Sequence, residues 1–458
     1  MDSERNFEGI AQEIIALLDA KKYMRARDKI LGLLEVDMAE ALEEVIERLG
    51  IEYAVILFRM LPKDVSVEVF SYLPSDDQLA VVNVITDKEV KYIIDELDFD
   101  DMIDVLEELP ANIVDKILEK STKEERKQIN TFLNYPDDSA GSLMTPDYIS
   151  LQKDWSVGDA MAHIKRVGMD SETVYTCYVK DRGRKLIGIV SLRTLVISEP
   201  ETPISGIINE DVVYVNVYDD QEDVSEMFKK YGYLAIPVVD NEMRIVGIIT
   251  VDDIFGVIEE EYSEDFERMA GVLDSSDAEY LDIGVFKHVR NRLPWLMLLM
   301  ISAMLTGGII RSFERLLSNV ISLAVYLPML MGTGGNSGSQ SATLIIRGMA
   351  VGDIEMRDAH KVLWKELRVS LIVGLALSVL NMVKIILLDR ENVLVAATVC
   401  VSMAVIVTMA KCIGGMLPML AKRVGIDPAL MAAPMISSLT DILSCLTYFT
   451  LASFVLRL

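Results

Sequence analysis

The chain has 458 residues, 51% of them apolar, and 71 acids against 44 bases give it a formal net charge of −27. That apolar content excludes a disordered chain, the acidic balance argues against a nucleic-acid partner, and four cysteines in this length exclude a disulfide scaffold. Three histidines and no cysteine pair at ligand spacing leave little for a zinc site. The charge is unevenly spread. Residues 291–458 hold nine acids and 14 bases, a net of +5, so the first 290 residues carry 62 acids and 30 bases, a net of −32. This predicts an acidic soluble part followed by a membrane part.

Residues 1–136 read as an acidic, all-α domain. Residues 1–19 are acidic and amphipathic, without a basic start or an apolar run, so no signal peptide is read there and the acidic part is expected in the cytoplasm. A twelve-residue period then runs over 61–124. Its anchors are Leu61-Pro62-Lys63-Asp64, Leu73-Pro74-Ser75-Asp76, Ile85-Thr86-Asp87-Lys88, Leu97-Asp98-Phe99-Asp100 and Leu109-Pro110-Ala111-Asn112. Each is a helix start, marked by proline near the first turn or by a Ser, Thr, Asp or Asn cap. Apolar residues follow at helical spacing, as in Met102, Ile103, Leu106 and Leu109. Helices this short cannot bury a face alone, so the period predicts a superhelical solenoid with acidic outer faces.

A second repeat has a period of 59 residues: Ile187-Gly188-Ile189-Val190-Ser191 recurs as Val246-Gly247-Ile248-Ile249-Thr250. Each run is a short buried strand leading into a helix. The strands upstream, at 175–180 and 234–240, recur as well, and the lead-in turns Met144-Thr145-Pro146 and Ile207-Ile208-Asn209 correspond. Two β-α-β-β-α copies packed as a pair are expected, at 137–200 and 201–262, joined by a proline-containing linker. Residues 263–290 are expected to form a connecting helix.

The transmembrane domain is placed at 291–458. Five apolar stretches, 293–310, 320–346, 369–388, 393–420 and 431–456, each approach or exceed the ~20 residues that cross hydrocarbon as a helix. Lys287, Arg290 and Arg292 precede the first, Arg347, Arg357, Lys361, Lys365 and Arg368 follow the second, and Lys422 and Arg423 follow the fourth. The positive-inside rule then puts the amino-terminal domain in the cytoplasm and the carboxyl terminus outside.

Asp441 falls about ten residues into the fifth stretch, where a carboxylate costs roughly 2.5–3.5 kcal/mol on insertion scales and therefore faces a cavity, a partner or an ion. Pairing with Lys411 of the fourth stretch is one alternative. Pro434 removes a backbone donor nearby, and Ser437, Ser438 and Thr440 add hydroxyls. The second stretch is expected to break at Gly332-Thr333-Gly334-Gly335-Asn336-Ser337-Gly338-Ser339-Gln340-Ser341, which lacks any strongly apolar residue; a helix-packing seam is the alternative reading. Asn336 and Gln340 lie four apart, on one face if helix persists. Oxygen donors suit magnesium, calcium or manganese rather than copper or zinc.

The paired repeat resembles a tandem of cystathionine-β-synthase-type (CBS) domains. Together with Tyr135-Pro136-Asp137-Asp138-Ser139-Ala140-Gly141-Ser142-Leu143-Met144-Thr145-Pro146, the glycine-rich run, and Asp427-Pro428-Ala429 followed by Asp441, it resembles the MgtE family of magnesium channels and transporters over nearly the whole chain. The resemblance implies an all-α solenoid, an α/β CBS pair and a five-helix membrane domain, assembled as a homodimer in the inner membrane. It implies Mg2+ import, with feedback from cytoplasmic Mg2+. Regulatory Mg2+ is then expected at Glu68, Asp100, Asp104, Glu222, Asp253, Glu261, Glu264 and Asp265, transported Mg2+ at Asp441, and a further metal ligand at Asp427. Asn336, Gln340, Pro434, Ser437 and Thr440 are the expected pore lining. ATP at the CBS pair is implied through Arg193 and Tyr233, although Ser191-Leu192-Arg193-Thr194 lacks the acid expected to hold a ribose. No nucleophile–base arrangement is legible, so no enzyme is expected. The competing readings are a membrane-anchored divalent-cation sensor without transport, and a carrier of Co2+ or Mn2+.

Overall fold

The computed structural model describes residues 2–272, 280 and 283–457. They form two compact units, residues 1–258 and 259–458. The first opens with α1 (Asp2–Asp19), α2 (Tyr23–Ile30), α3 (Glu35–Leu49) and α4 (Ile51–Phe58). Six helices follow at the expected twelve-residue spacing: α5 (Lys63–Ser71), α6 (Ser75–Val84), α7 (Asp87–Glu96), α8 (Phe99–Glu108), α9 (Ala111–Lys120) and α10 (Lys123–Phe132). The period thus extends one helix beyond the segment read from sequence. Pro62, Pro74 and Pro110 stand at N-caps, and Thr86 and Thr122 close capping boxes with Glu89 and Glu125. Helices of about ten residues are marginal alone. Here α3 packs on α5, α4 on α6, α5 on α7 and α6 on α8, each helix reaching its second neighbour to bury residues such as Phe70, Val81, Ile93, Ile103 and Leu106.

The CBS repeat has the expected element order. The first copy runs β1 (Tyr148–Gln152), α11 (Val157–Val167), β2 (Thr173–Lys180), β3 (Leu186–Ser191) and α12 (Leu192–Ile197). The second runs β4 (Val215–Asn216), α13 (Gln221–Tyr231), β5 (Ala235–Val239), β6 (Ile245–Thr250) and α14 (Val251–Ala270). Each sheet has its strands in sequence order, the first pair parallel and the second antiparallel. The lead-in turns cross over: Thr145 bridges Ile248 of the second sheet, and Asn209 bridges Ile189 of the first. This explains the repeated glycine. A Cβ on Gly188 would meet the Asn209 carbonyl at 2.7 Å, and one on Gly247 the Thr145 carbonyl at 2.8 Å. Neither crossing strand tolerates a side chain there.

The expected single connecting helix over 263–290 is not one element. Helix α14 ends at Ala270, where Gly271 takes φ +79°, and the next helix begins at Val285; residues 273–279, 281 and 282 of that segment lie outside the described residues. The second unit then comprises α15 (Val285–Ser312), the short α16 (Glu314–Asn319), α17 (Ser322–Ala350), α18 (Ala359–Lys384), α19 (Val393–Arg423) and α20 (Ala433–Leu456). Among the described residues, four helical stretches, containing α15, α18, α19 and α20, are long and apolar enough to cross a membrane.

Helix α17 has the length but not the composition, because the glycine-rich run sits in its middle. Contrary to the expected break, it is an uninterrupted helix of 29 residues. Close packing compensates for its lack of apolar side chains. It packs on α19 and α20, and Gly334, Gly335, Ser337, Gly338 and Ser341 are all buried. At the tightest point the backbones of α17 and α19 touch: a Cβ on Gly414 would overlap the Gly338 carbonyl. Pro434 likewise opens no carbonyls. It lies in the first turn of α20, where an amide would have no helical partner anyway.

Candidate functional site

Three groups of candidate residues emerge, two with acids drawn together and one around a cavity. The first lies in the amino-terminal unit, where α8 faces the CBS pair. Burial, then Asp253, Glu172 and Asp101, push the Asp100 carboxyl up to about 8. Burial, then Asp98 and Asp253, raise Asp101 to about 6. Glu172 is raised to about 7 by burial and by Asp98, Asp253, Asp252 and Asp101. Asp253 is raised by burial, with the Thr250 hydroxyl opposing as it donates to Oδ2 at 2.6 Å, and Asp147 is raised by burial, Asp98 and Asp170. Among the described residues, the leading charges acting on these five groups are other carboxylates. The anchor residue Asp98, expected as a cap, makes no side-chain cap bond and faces this cluster instead.

Of the acids singled out by sequence, Asp100 and Asp253 come together here. Glu68 on α5, Asp104 on α8 and Glu222 at the start of α13 are exposed. Asp101, Glu172, Asp147, Asp98 and Asp252 were missed. Nothing in their spacing marks them, since the cluster joins segments remote in sequence.

The second group is at the end of α14. Arg268 donates to Asp427 Oδ2 at 2.9 Å and also pairs with Glu264. Asp427, between α19 and α20, accepts the Ala429 amide on its other oxygen at 2.7 Å. Asp265 is raised by burial and by Asp427 and Glu261. Met269 packs against Ala342, Ile346, Ala432 and Ile436, seating this end of α14 on α17 and α20. Glu261, Glu264, Asp265 and Asp427 thus form one patch, with an arginine already across two of them. Among the described residues, no three His, Cys, Asp or Glu side chains converge at metal-ligating distance.

The third group lines a cavity of about 390 Å³ in the membrane unit, walled by Leu327, Pro328, Met331, Gly332, Gly335 and Asn336 of α17 and by Ser437 and Asp441 of α20. Asp441 has no ion-pair partner among the described residues. The Lys411 alternative does not hold: that ammonium donates to the Ser337 carbonyl at 3.5 Å and to Ser341 Oγ at 3.4 Å. Asn336 and Ser437 join Asp441 as expected, whereas Gln340, Pro434 and Thr440 are not in the cavity wall. The Thr440 hydroxyl is buried and donates back to the Ile436 carbonyl at 2.8 Å. Pro328, Gly332, Asn336, Gln340, Thr343 and Arg347 form an exposed stripe at helical spacing along α17.

A smaller cavity of about 230 Å³ lies in the CBS pair, lined by Thr176, Tyr178, Ile189, Gly232, Tyr233 and Pro237 among others. The Tyr178 hydroxyl is buried there without a hydrogen-bond partner among the described residues, and Tyr233 stacks on Tyr231 at 5.7 Å. Arg193 is exposed in the first turn of α12 and is not in this wall.

The family model for the MgtE divalent cation transporter matches residues 327–451, that for the MgtE intracellular N domain residues 33–138, and CBS domains match 140–199 and 204–260. The magnesium transporter MgtE of Thermus thermophilus is 36% identical over 412 residues, 89% of this chain and 90% of the relative. That of Bacillus subtilis is 30% identical over 99% of both chains. A crystal structure of the cytosolic domain of the Mg2+ channel MgtE in complex with ATP aligns at 31% identity and a TM-score of 0.49, covering 53% of this chain and 99% of that one. With relatives this similar over nearly its full length, the chain belongs to the MgtE family of divalent cation transporters, multi-pass membrane proteins whose N domain is cytoplasmic.

Proposed function

We propose that this protein admits Mg2+ to the cytoplasm along a pathway past Asp441 and closes when cytoplasmic Mg2+ is high. The observation that carries this reading is Asp441 itself, a carboxylate at membrane depth that faces a cavity and has no cation partner among the described residues. Mg2+ gives up its water reluctantly, and the wall offers a carboxylate, an amide and a hydroxyl suited to a hydrated ion. The exposed polar stripe of α17 supports a homodimer. Asn336 and Gln340 facing lipid would be costly, and the same face of a second copy would cover them and bring two Asp441 side chains to one pathway. The carboxyl terminus then lies outside.

Regulation follows from the acid groups of the cytoplasmic domains. Crowded carboxylates repel one another when ionised and so favour separation, and divalent cations displace the shared protons and remove that repulsion by bridging them. Asp253 of the first group and Glu261, Glu264 and Asp265 of the second all lie on α14, so ion binding at either end bears on the same helix. Ions shift such an equilibrium only by their greater affinity for the closed form. The CBS cavity at Tyr178 and Tyr233 is the place for an adenine nucleotide, with Arg193 outside its wall.

The test is Mg2+ uptake into liposomes carrying wild type or Asp441→Asn, with low or high Mg2+ on the cytoplasmic face. Uptake that needs Asp441 and stops at high Mg2+ is the expected result. Unchanged uptake in the variant removes Asp441 from the pathway, and a folded wild type without uptake favours the sensor.

A further inference from the structure

The membrane unit holds a second set of buried charges, away from the cavity wall. Glu366 of α18, Ser341 of α17 and Lys411 of α19 are 8%, 1% and 6% exposed. The Ser341 hydroxyl donates to Glu366 Oε2 at 2.6 Å and accepts from Lys411 Nζ at 3.4 Å. One hydroxyl of α17 therefore links two groups of opposite formal charge, one on its neighbour α19 and one on α18 beyond it. Lys411 also donates to the Ser337 carbonyl, the backbone oxygen immediately after Asn336. The fold makes room for this contact. Consecutive glycines on α19 serve two neighbours: Gly414 admits the α17 backbone at Gly338, and a Cβ on Gly415 would lie 3.1 Å from Glu366 Cγ.

We propose that Glu366, Ser341 and Lys411 are positioning residues for cation permeation: together they fix the register of α17 against α18 and α19, and with it the cavity wall opposite Asp441. The proposal rests on the pathway reading above. A helix as rich in glycine as α17 has few side chains with which to lock its own rotation and height. The tie supplies that lock at Ser337 and Ser341, within two turns of Asn336. On the opposite face, a Cβ on Gly335 would lie 3.1 Å from Ser437 Oγ, so the wall of α17 rests directly on that of α20. A small slide of α17 therefore moves Gly335 and Asn336 relative to Ser437 and Asp441, changing the space for a hydrated ion. A buried polar network of this kind is favourable only when every member is satisfied. Loss of one partner leaves the others uncompensated and the helix free to shift.

The experiment measures Mg2+ uptake by the full-length protein in liposomes as a function of external Mg2+, for S341A, K411M, E366Q and the double variant E366Q/K411M. Unfolding temperatures are recorded in parallel, with D441N as control. S341A removes a single oxygen and is expected to fold. Its half-saturating Mg2+ concentration is expected to rise about ten-fold or more, the scale seen when a supporting partner of a metal-binding group is lost. The double variant restores neutrality and is expected to recover folded yield but not wild-type half-saturation; a network needed only for folding would recover both. Wild-type saturation in S341A, with uptake lost in D441N, overturns the tie alone. Uptake that survives D441N overturns the pathway reading and this proposal with it. If K411M and E366Q do not fold, S341A decides.

Discussion

Asp100→Asn is expected to stabilise the cytoplasmic unit when divalent cations are removed. Asp100 is half-buried, with its carboxyl pushed up to about 8 from an ordinary 3.8 by burial and then by Asp253, Glu172 and Asp101. A group raised in the folded state binds its proton more tightly there than when unfolded. The stability it contributes is full below about pH 4 and is lost as pH rises from about 4 to about 8. Converted at about 1.4 kcal/mol per pKa unit, the shift would give about 6 kcal/mol. That overstates the effect, because Asp101 and Glu172 share the same repulsion and solvent screens part of it. About 2 kcal/mol at pH 8 is a reasonable residue of the argument. At about 2–4 °C per kcal/mol for a unit of this size, the cation-free variant should unfold about 4–8 °C higher. Thermal unfolding of the full-length protein in detergent measures this, in EDTA and in Mg2+, at pH 8 and pH 5. The gain should shrink by pH 5, where wild-type Asp100 is protonated in the folded form, and Mg2+ should stabilise the variant less than wild type. A variant that unfolds lower at pH 8 in EDTA, or that keeps its full Mg2+ response, refutes the reasoning.

Two further outcomes follow from the membrane unit. Gly414→Ala forces a methyl into the Gly338 carbonyl and should destabilise the unit by about 1–3 kcal/mol or more, seen as a lower unfolding temperature. Arg268→Gln leaves Asp427 facing Asp265 and Glu261 without the guanidinium, so the Mg2+ concentration on the cytoplasmic face that halves uptake should rise; an unchanged value would mean that the arginine contributes nothing to closure.

The repeats were legible because each is a local pattern. Twelve-residue spacing with Pro, Thr or Asp at each start needs only sequence to be seen, and α5 to α9 begin where it says. The 59-residue repeat was equally clear, and the crossing of its lead-in turns explains why both copies carry glycine. Composition misled at α17. A run of ten residues without a large apolar side chain reads as a break, yet glycine and serine let α17 and α19 touch, and backbone contact replaces side-chain burial. The acid cluster was half legible. Asp100 and Asp253 were named, but Asp101 and Glu172 join them only through tertiary packing, which no spacing encodes. Lys411 was visible as a charge in an apolar stretch; its partners were not, because Glu366 lies before the apolar run of its own helix.

The two units handle charge in opposite ways, and the contrast bears on function. In the membrane unit the carboxylates near the helix bundle are compensated one at a time. Glu366 has Ser341 and through it Lys411, Asp389 has Lys384 at 2.6 Å and the Tyr326 hydroxyl at 2.9 Å, and Asp427 has Arg268. Of these four carboxylates at or near the bundle, Asp441 alone lacks a partner, and it is the one that faces a cavity. Were Lys411 turned toward Asp441, the proposed pathway would carry its own counter-ion and a divalent cation would find no net charge to meet. The tie to Ser341 and Glu366 keeps that ammonium away. In the cytoplasmic unit the acids around Asp100 are left uncompensated together, which is costly for a static surface and useful for one that must respond to a cation. An unpaired carboxylate in each copy suits the proposed passage, since a site with few ligands releases its ion. Several raised together suit sensing, since their shared repulsion makes the response to bound cations cooperative.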